Sequence, residues 1–406
     1  MEKVLPLLLL TLLGFLFPFT FSSSTFSNCF NVQSFGAKGD GVTNDTQAFM
    51  SMWNAGCTED TGNVEFLVPR AVYLLGPIQF RGPCKARSVF FNMQGHLKAT
   101  TDLRDYEDAW IQFRDLNNLT VDGGGNGTLN GQGWASWRFD KCPEIKKCKI
   151  LPVSLKFVGC TNTSLMNIKS LDSKFFHMGV LDCHDFKASR LRIKAPEDSP
   201  NTDGIHIERS SNVKISSSVI RTGDDCISIG QGNSHITVSG IACGPGHGIS
   251  VGSLGRYPNE KDVNHLIIRD SVLTGTQNGV RIKTWADSPQ TSNANNMIFS
   301  NIVMNNVRNP IIIDQEYCPY PYCANRVPSS VKISNIMFKN IRGSSKSKIA
   351  ININCSKGVP CQNINLHNIH LDIVGEISGS SQCKNAQIHY SGTQIPPPCV
   401  TELKSI

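Results

Sequence analysis

An all-β solenoid, the parallel β-helix, is the fold this sequence predicts, and three observations predict it. Short apolar alternations recur down the chain: Val213-Lys214-Ile215, Ile236-Thr237-Val238, Leu266-Ile267-Ile268, Met297-Ile298-Phe299, Val331-Lys332-Ile333 and Ile364-Asn365-Leu366. Their last residues are 23, 30, 31, 34 and 33 apart, a period that signals repeats. Asn precedes many alternations (Asn118, Asn212, Asn296, Asn363), as suits turn positions near left-handed backbone angles with stacked side-chain amides. The helical period, meanwhile, is absent after the first part of the chain. Each coil then adds strands to two or three sheets with apolar side chains stacked inside. Hairpin signals at Asn130-Gly131 and Asn278-Gly279 keep an antiparallel sandwich or propeller as the alternative.

Taken in order, the chain opens on a secretory signal peptide over residues 1–24. Met1-Glu2-Lys3 is charged, Val4 to Phe21 is almost wholly apolar, and Ser22-Ser23-Ser24 offers a cleavage site. An uncleaved anchor is the competing reading, disfavoured by Pro6 and Pro18. No later stretch is apolar for long enough to cross a bilayer, so a soluble extracellular protein is expected. Asn31 to Gly41 pairs a short strand with a Gly-rich turn. Asn44 or Asp45 then caps a helix over Thr46 to Ala55 that Gly56 stops, and this helix covers the open end of the coil. No internal linker interrupts the chain after the leader, so residues 25–406 form one elongated domain.

Cysteine usage fits an oxidising compartment. The 15 Cys are an odd number, so at least one stays unpaired or pairs between chains. Spacing suggests Cys142 with Cys148, Cys318 with Cys323, Cys355 with Cys361, Cys383 with Cys399, and at longer range Cys57 with Cys84 and Cys226 with Cys243. Cys160 and Cys183 occupy corresponding strand positions as buried thiols. Sequons stand at Asn44, Asn118, Asn126, Asn162 and Asn354. The net charge of +7 is dispersed rather than clustered, which argues against nucleic acid and suits an acidic extracellular polymer or plain solubility.

The chemistry concentrates between Asn201 and Lys283. Asp203, Asp224 and His247 are 21 and 23 residues apart, one coil each, so these groups stack on neighbouring rungs. Rungs are ~4.8 Å apart, and three acids so crowded raise one another's pKa, which costs stability without a use. Glycosidic cleavage supplies one, since it needs a protonated carboxyl and an ionised carboxylate in one site. Asp224 and Asp225 would face opposite ways in a regular strand, so Gly223 must let the backbone bend. His247 lies between Gly246 and Gly248, which permit tight turning and close approach of a ligand. Arg281 and Lys283 share a strand face and suit a uronate carboxylate, or else form a solvated basic face. Asn201 is a ligand contact or a turn residue, and Tyr317 stacks on a sugar or packs.

With Ser199-Pro200-Asn201-Thr202-Asp203-Gly204-Ile205-His206-Ile207, Gly223-Asp224-Asp225-Cys226-Ile227-Ser228-Ile229-Gly230, Cys243-Gly244-Pro245-Gly246-His247-Gly248-Ile249-Ser250-Val251-Gly252 and Arg281-Ile282-Lys283 in this order, the chain closely resembles plant polygalacturonases of glycoside hydrolase family 28. The likeness runs from Phe35-Gly36-Ala37-Lys38-Gly39-Asp40-Gly41 to the cysteine-bearing C-terminus. It implies a single-stranded right-handed parallel β-helix that hydrolyses α-1,4 bonds of polygalacturonic acid with inversion. Asp224 matches the general acid, Asp203 and Asp225 the pair that holds the attacking water, His247 a residue tuning the acid or binding sugar, and Arg281 with Lys283 the carboxylate-binding pair. No metal or organic cofactor is implied; the expected partner is demethylated pectin, with no nucleic acid and no membrane once the leader is removed, and a monomer is expected. Asn130 stands where the family commonly has Asp. The segment Asn309 to Cys361 is similar to the exo-acting branch typical of pollen. Endo action, a rhamnogalacturonan hydrolase, a pectate lyase using calcium, and an inactive wall-binding homologue are the alternatives.

Overall fold

The computed structural model describes residues 28–60, 62–140, 149–319 and 327–399, which wind into a right-handed parallel β-helix. An 11-stranded sheet runs along one side, from Ile78–Arg81 through Ala109–Arg114 to Ser380–Lys384. A 19-stranded sheet wraps the remainder. The expected leader, Cys142, Cys148 and Cys323 lie outside the described residues.

Inward side chains stack in columns because each strand is level with the next. Ile205, Ile227, Ile249, Val280, Ile311 and Ile351 form one column. Ile207, Ile229, Val251, Ile282, Ile313 and Ile353 form the next. All are fully buried, each worth about 2 kcal/mol of apolar transfer. Period-2 alternation sends the residues between them outward. His206, Ser228, Ser250, Arg281, Ile312 and Asn352 therefore form an outer row on the same sheet.

The larger sheet turns two corners, each made by one left-handed residue per coil. At one corner Asn212, His235, His265, Asn296, Asn335 and Asn363 have φ between 52° and 57°. The expected amide stack is present there: Asn335 donates to Asn296 at 3.1 Å and Asn363 to Asn335 at 2.8 Å. Where the column carries His235 and His265, their rings stack at 4.8 Å. Ser217, Gly240, Asp270, Asn301, Asn340 and Asn368 turn the other corner.

One step of the repeat differs from the spacing of the apolar alternations. Phe299 is level with Phe338, and Ile333 is level with Ala294. Coil spacing is thus 39 residues and then 28, because more chain separates the strands Asn309–Tyr317 and Lys332–Ser345 than separates their neighbours. Asn278-Gly279 is no hairpin; it lies within the parallel strand Asn278–Trp285.

The capping helix α1 spans Thr46–Cys57 and lays Phe49, Met52 and Trp53 over the open end. Trp53 stacks on Phe66 at 4.6 Å. Gly56 is not its stop. It sits inside the helix, where a Cβ would meet the Phe66 ring at 2.5 Å, so the small residue serves packing. Asp45 turns away from capping to accept from the Lys38 and Gly39 N–H groups at 2.7 and 3.1 Å, while Asn44 accepts from Thr46 N–H at 3.0 Å. Disulfides join Cys57–Cys84, Cys226–Cys243, Cys355–Cys361 and Cys383–Cys399. Cys160 and Cys183 are buried free thiols, and Cys29 is an exposed one.

Candidate active site

Successive rungs of the 11-stranded sheet deliver the polar groups to one cleft of about 650 Å³. Asp203 precedes the strand Ile205–Glu208, and Asp225 begins the strand Asp225–Ile229. His247 precedes Gly248–Leu254, and Arg281 and Lys283 lie within Asn278–Trp285. One carboxylate oxygen from each of Asp203, Asp224 and Asp225 lies within 4.8 Å of the other two.

The bend that lets adjacent aspartates converge has a different origin from the one the sequence suggested. Gly223 has no left-handed φ; its need is space, since a Cβ would meet the Ser199 carbonyl oxygen at 2.1 Å. Its N–H donates to Thr202 Oγ1 at 3.0 Å, and Thr202 bonds Ser199 at 2.7 Å. Pairing with the next strand also shifts between Asp225 and Ile227. Around His247, Gly246 and Gly248 do take left-handed φ of 126° and 89°. We expect Gly223→Ala to cost about 2 kcal/mol through overpacking and to push Asp224 out of place. Urea unfolding together with activity checks this; unchanged stability would contradict it.

Asp225 is the most constrained acid, 2 % exposed at its side chain. Its Oδ1 accepts from Ser250 Oγ at 2.7 Å and Arg281 Nη2 at 3.1 Å, and its Oδ2 from Lys283 Nζ at 2.9 Å. Burial alone would raise its pKa, but the charges of Lys283 and Arg281 outweigh it and hold the carboxyl at about 2. Asp203 goes the other way: burial, then the charges of Asp224 and Asp225, push it well above the ordinary carboxylate range. Asp224 is the accessible member, its side chain 21 % exposed. His247 Nδ1 lies 2.9 Å from Asp224 Oδ1. Burial would lower the imidazole pKa, yet the bond to Asp224 and the nearby acidic charge raise it.

Asn201 is both a left-handed turn residue (φ 49°) and a lining residue, its amide donating to Asp140 at 2.7 Å. Tyr317 packs 5.6 Å from Trp285 and faces the cleft, its ring 5.2 Å from Lys283 Nζ. Ser250 escaped the sequence reading. It joins Asp225 to Arg281, whose Nε donates to it at 3.1 Å. The signal was present: Ile227-Ser228-Ile229-Gly230 repeats one coil later as Ile249-Ser250-Val251-Gly252. Phe176 and His206, with rings 4.9 Å apart, also line the cleft unforeseen.

The three acids are the one group among the described residues arranged to ligate a cation, but Lys283 and Arg281 already neutralise Asp225 and burial favours a proton on Asp203. A separate groove of about 590 Å³ on the larger sheet has no carboxylate in its lining.

A coil that gathers carboxyls and cations on one lateral cleft is built as a β-helical glycoside hydrolase. The family model described as "Glycosyl hydrolases family 28" matches residues 57–393, and the chain belongs to that family. It is 43% identical over 369 residues to an exopolygalacturonase of Platanus acerifolia, covering 90% of this chain and 96% of that one. It is 44% identical over 357 residues to an exopolygalacturonase of Oenothera organensis, covering 87% and 97%. Among solved structures, an exopolygalacturonase from Thermotoga maritima superposes with a TM-score of 0.75 at 18% identity, covering 90% of this chain and 91% of the other. That likeness concerns the fold.

Proposed function

We propose that this protein is a secreted hydrolase of the α-1,4 bonds of polygalacturonic acid, acting from the non-reducing end to release galacturonate with inversion. The observation that carries the reading is the convergence of Asp203, Asp224 and Asp225 beside Arg281 and Lys283 in one cleft. The names of the relatives support the substrate and the exo mode. The disulfides and the apolar leader support secretion.

Three carboxyls with oxygens within 4.8 Å resist full ionisation, so one keeps a proton to higher pH. In the empty cleft burial favours the proton on Asp203. When substrate binds, Asp224, the group open to the cleft, takes that proton and gives it to the leaving glycosidic oxygen. Asp203, now ionised, and Asp225 hold the water that attacks the anomeric carbon, and Asp203 takes the proton this water gives up, which restores the starting state. His247 hydrogen-bonds Asp224 and steadies it. Arg281, Lys283 and Tyr317 receive a uronate carboxylate and ring.

One oxygen of each acid lies within 4.8 Å of the others, a crowding that also suits a retaining pair, whose carboxyl groups are about 5–5.5 Å apart. Inversion is still the better reading, because both Asp225 oxygens are engaged by Ser250, Arg281 and Lys283. A carboxylate so tied and so weakly basic orients water better than it attacks carbon. Polygalacturonate digested by the secreted protein should yield monomer from the first minutes, with the β-anomer first by NMR. A ladder of oligomers would replace exo with endo action, an α-anomer first would replace inversion with retention, and intact polymer would overturn the reading.

A further inference from the structure

The cleft runs on into a second cavity along the later coils. On the side of the earlier coils Ile150, Phe175 and Phe176 line it, the two Phe rings stacked at 4.0 Å. Towards the later coils a cavity of about 800 Å³ shares Arg281 and Tyr317 with it. A polymer cut beside Asp224 has a path from the first cavity into the second, along the rungs after Arg281.

On those rungs the charge changes sign. Lys283 is level with Asp314, which is level with Asn354; Arg281 is level with Ile312 and Asn352. Asp314 lines the second cavity and accepts the Glu316 N–H at 2.9 Å. Asp314 itself makes no ion pair among the described residues: Arg281 and Lys283 pair with Asp225 and face the uronate at the cut, and Lys384 pairs with Glu316. Lys348, also in the lining, is exposed to solvent.

A pyranose unit is about as long as one rung, ~4.8 Å. If Arg281 and Lys283 hold the uronate just past the cut, the next sugar lies over Asp314. We propose that Asp314 makes this second position past the cut selective for a methyl-esterified galacturonate over the free carboxylate. The Asn352 amide offers such an ester a donor without charge. The inference rests on the polygalacturonan reading above and adds to it which esterification pattern is cut fastest.

The test uses trigalacturonate, either unesterified or carrying one methyl ester on the third sugar from the non-reducing end. Release of the first galacturonate is followed for the wild type and Asp314→Asn. The assay is run at the highest pH that sustains turnover, because burial, opposed by the Glu316 N–H and Arg281, raises the Asp314 pKa. Like charges one rung apart, partly screened, correspond to a preference of about tenfold. The wild type should favour the ester by about that factor in kcat/KM, and Asp314→Asn should bring the ratio near one by accelerating the unesterified trimer. Because the ratio is read within one preparation, partial misfolding does not mimic it. A wild-type ratio near one, or a ratio unchanged in Asp314→Asn, overturns the proposal while hydrolysis of the free trimer leaves the polygalacturonan reading standing. If neither trimer is cut, both fall.

Discussion

Asp225→Asn should abolish turnover and also lower the free energy of unfolding by about 3 kcal/mol. Removing one partner of a buried ion pair leaves uncompensated charge, which typically costs about 3–5 kcal/mol. Here two cations, Arg281 and Lys283, are stranded at once, and Lys283 is itself buried. Denaturant titration of wild type and variant measures the loss. A variant as stable as the wild type would show that the cations find solvent or other partners.

The same group sets the acid limb of stability. Its folded pKa lies below the ordinary carboxylate value, so its contribution is present above that ordinary value and lost as pH falls towards about 2. Asp203 has the opposite sign. Its folded pKa is raised, so stability is fullest below the ordinary carboxylate value and declines as pH rises through the elevated one.

Asp224→Asn should leave the coil intact and cut the rate by about a thousandfold, the scale of a lost general acid. Asp224 is open to the cleft, and no cation among the described residues depends on it as Lys283 depends on Asp225. An amide keeps an oxygen to bond His247 and the Asp225 N–H, the latter now 2.8 Å from Asp224 Oδ1. Rates on polygalacturonate, with unfolding midpoints as control, decide the matter. Retention of a tenth of the activity would move the acid role elsewhere, Asp203 first. Wild-type rates should also fall on the alkaline side as the shared proton leaves the trio; a flat rate from pH 4 to 8 would contradict that.

Much of this molecule was legible because a coil repeats its constraints. Inner columns demand β-branched residues at every turn, and corners demand Asn where φ is left-handed, so both leave marks in the sequence. The misread step at Ile333 arose where a longer connection between strands changed the period, and apolar alternation alone does not say which of two neighbouring strands is level with Phe299. Gly56 was mistaken for a helix stop because a glycine chosen for packing against Phe66 looks, in sequence, like one chosen for its backbone freedom.

What the sequence determined by itself is the parallel coil, its capping helix, and the polar signatures one turn apart. Tertiary structure alone decided how those groups are biased: which acid keeps a proton, which is held ionised by Arg281 and Lys283, and which stays open to the cleft. The reason is that fold follows from patterns within each coil, whereas protonation and access depend on distances between coils and on burial. Those two quantities exist only once the chain has wound.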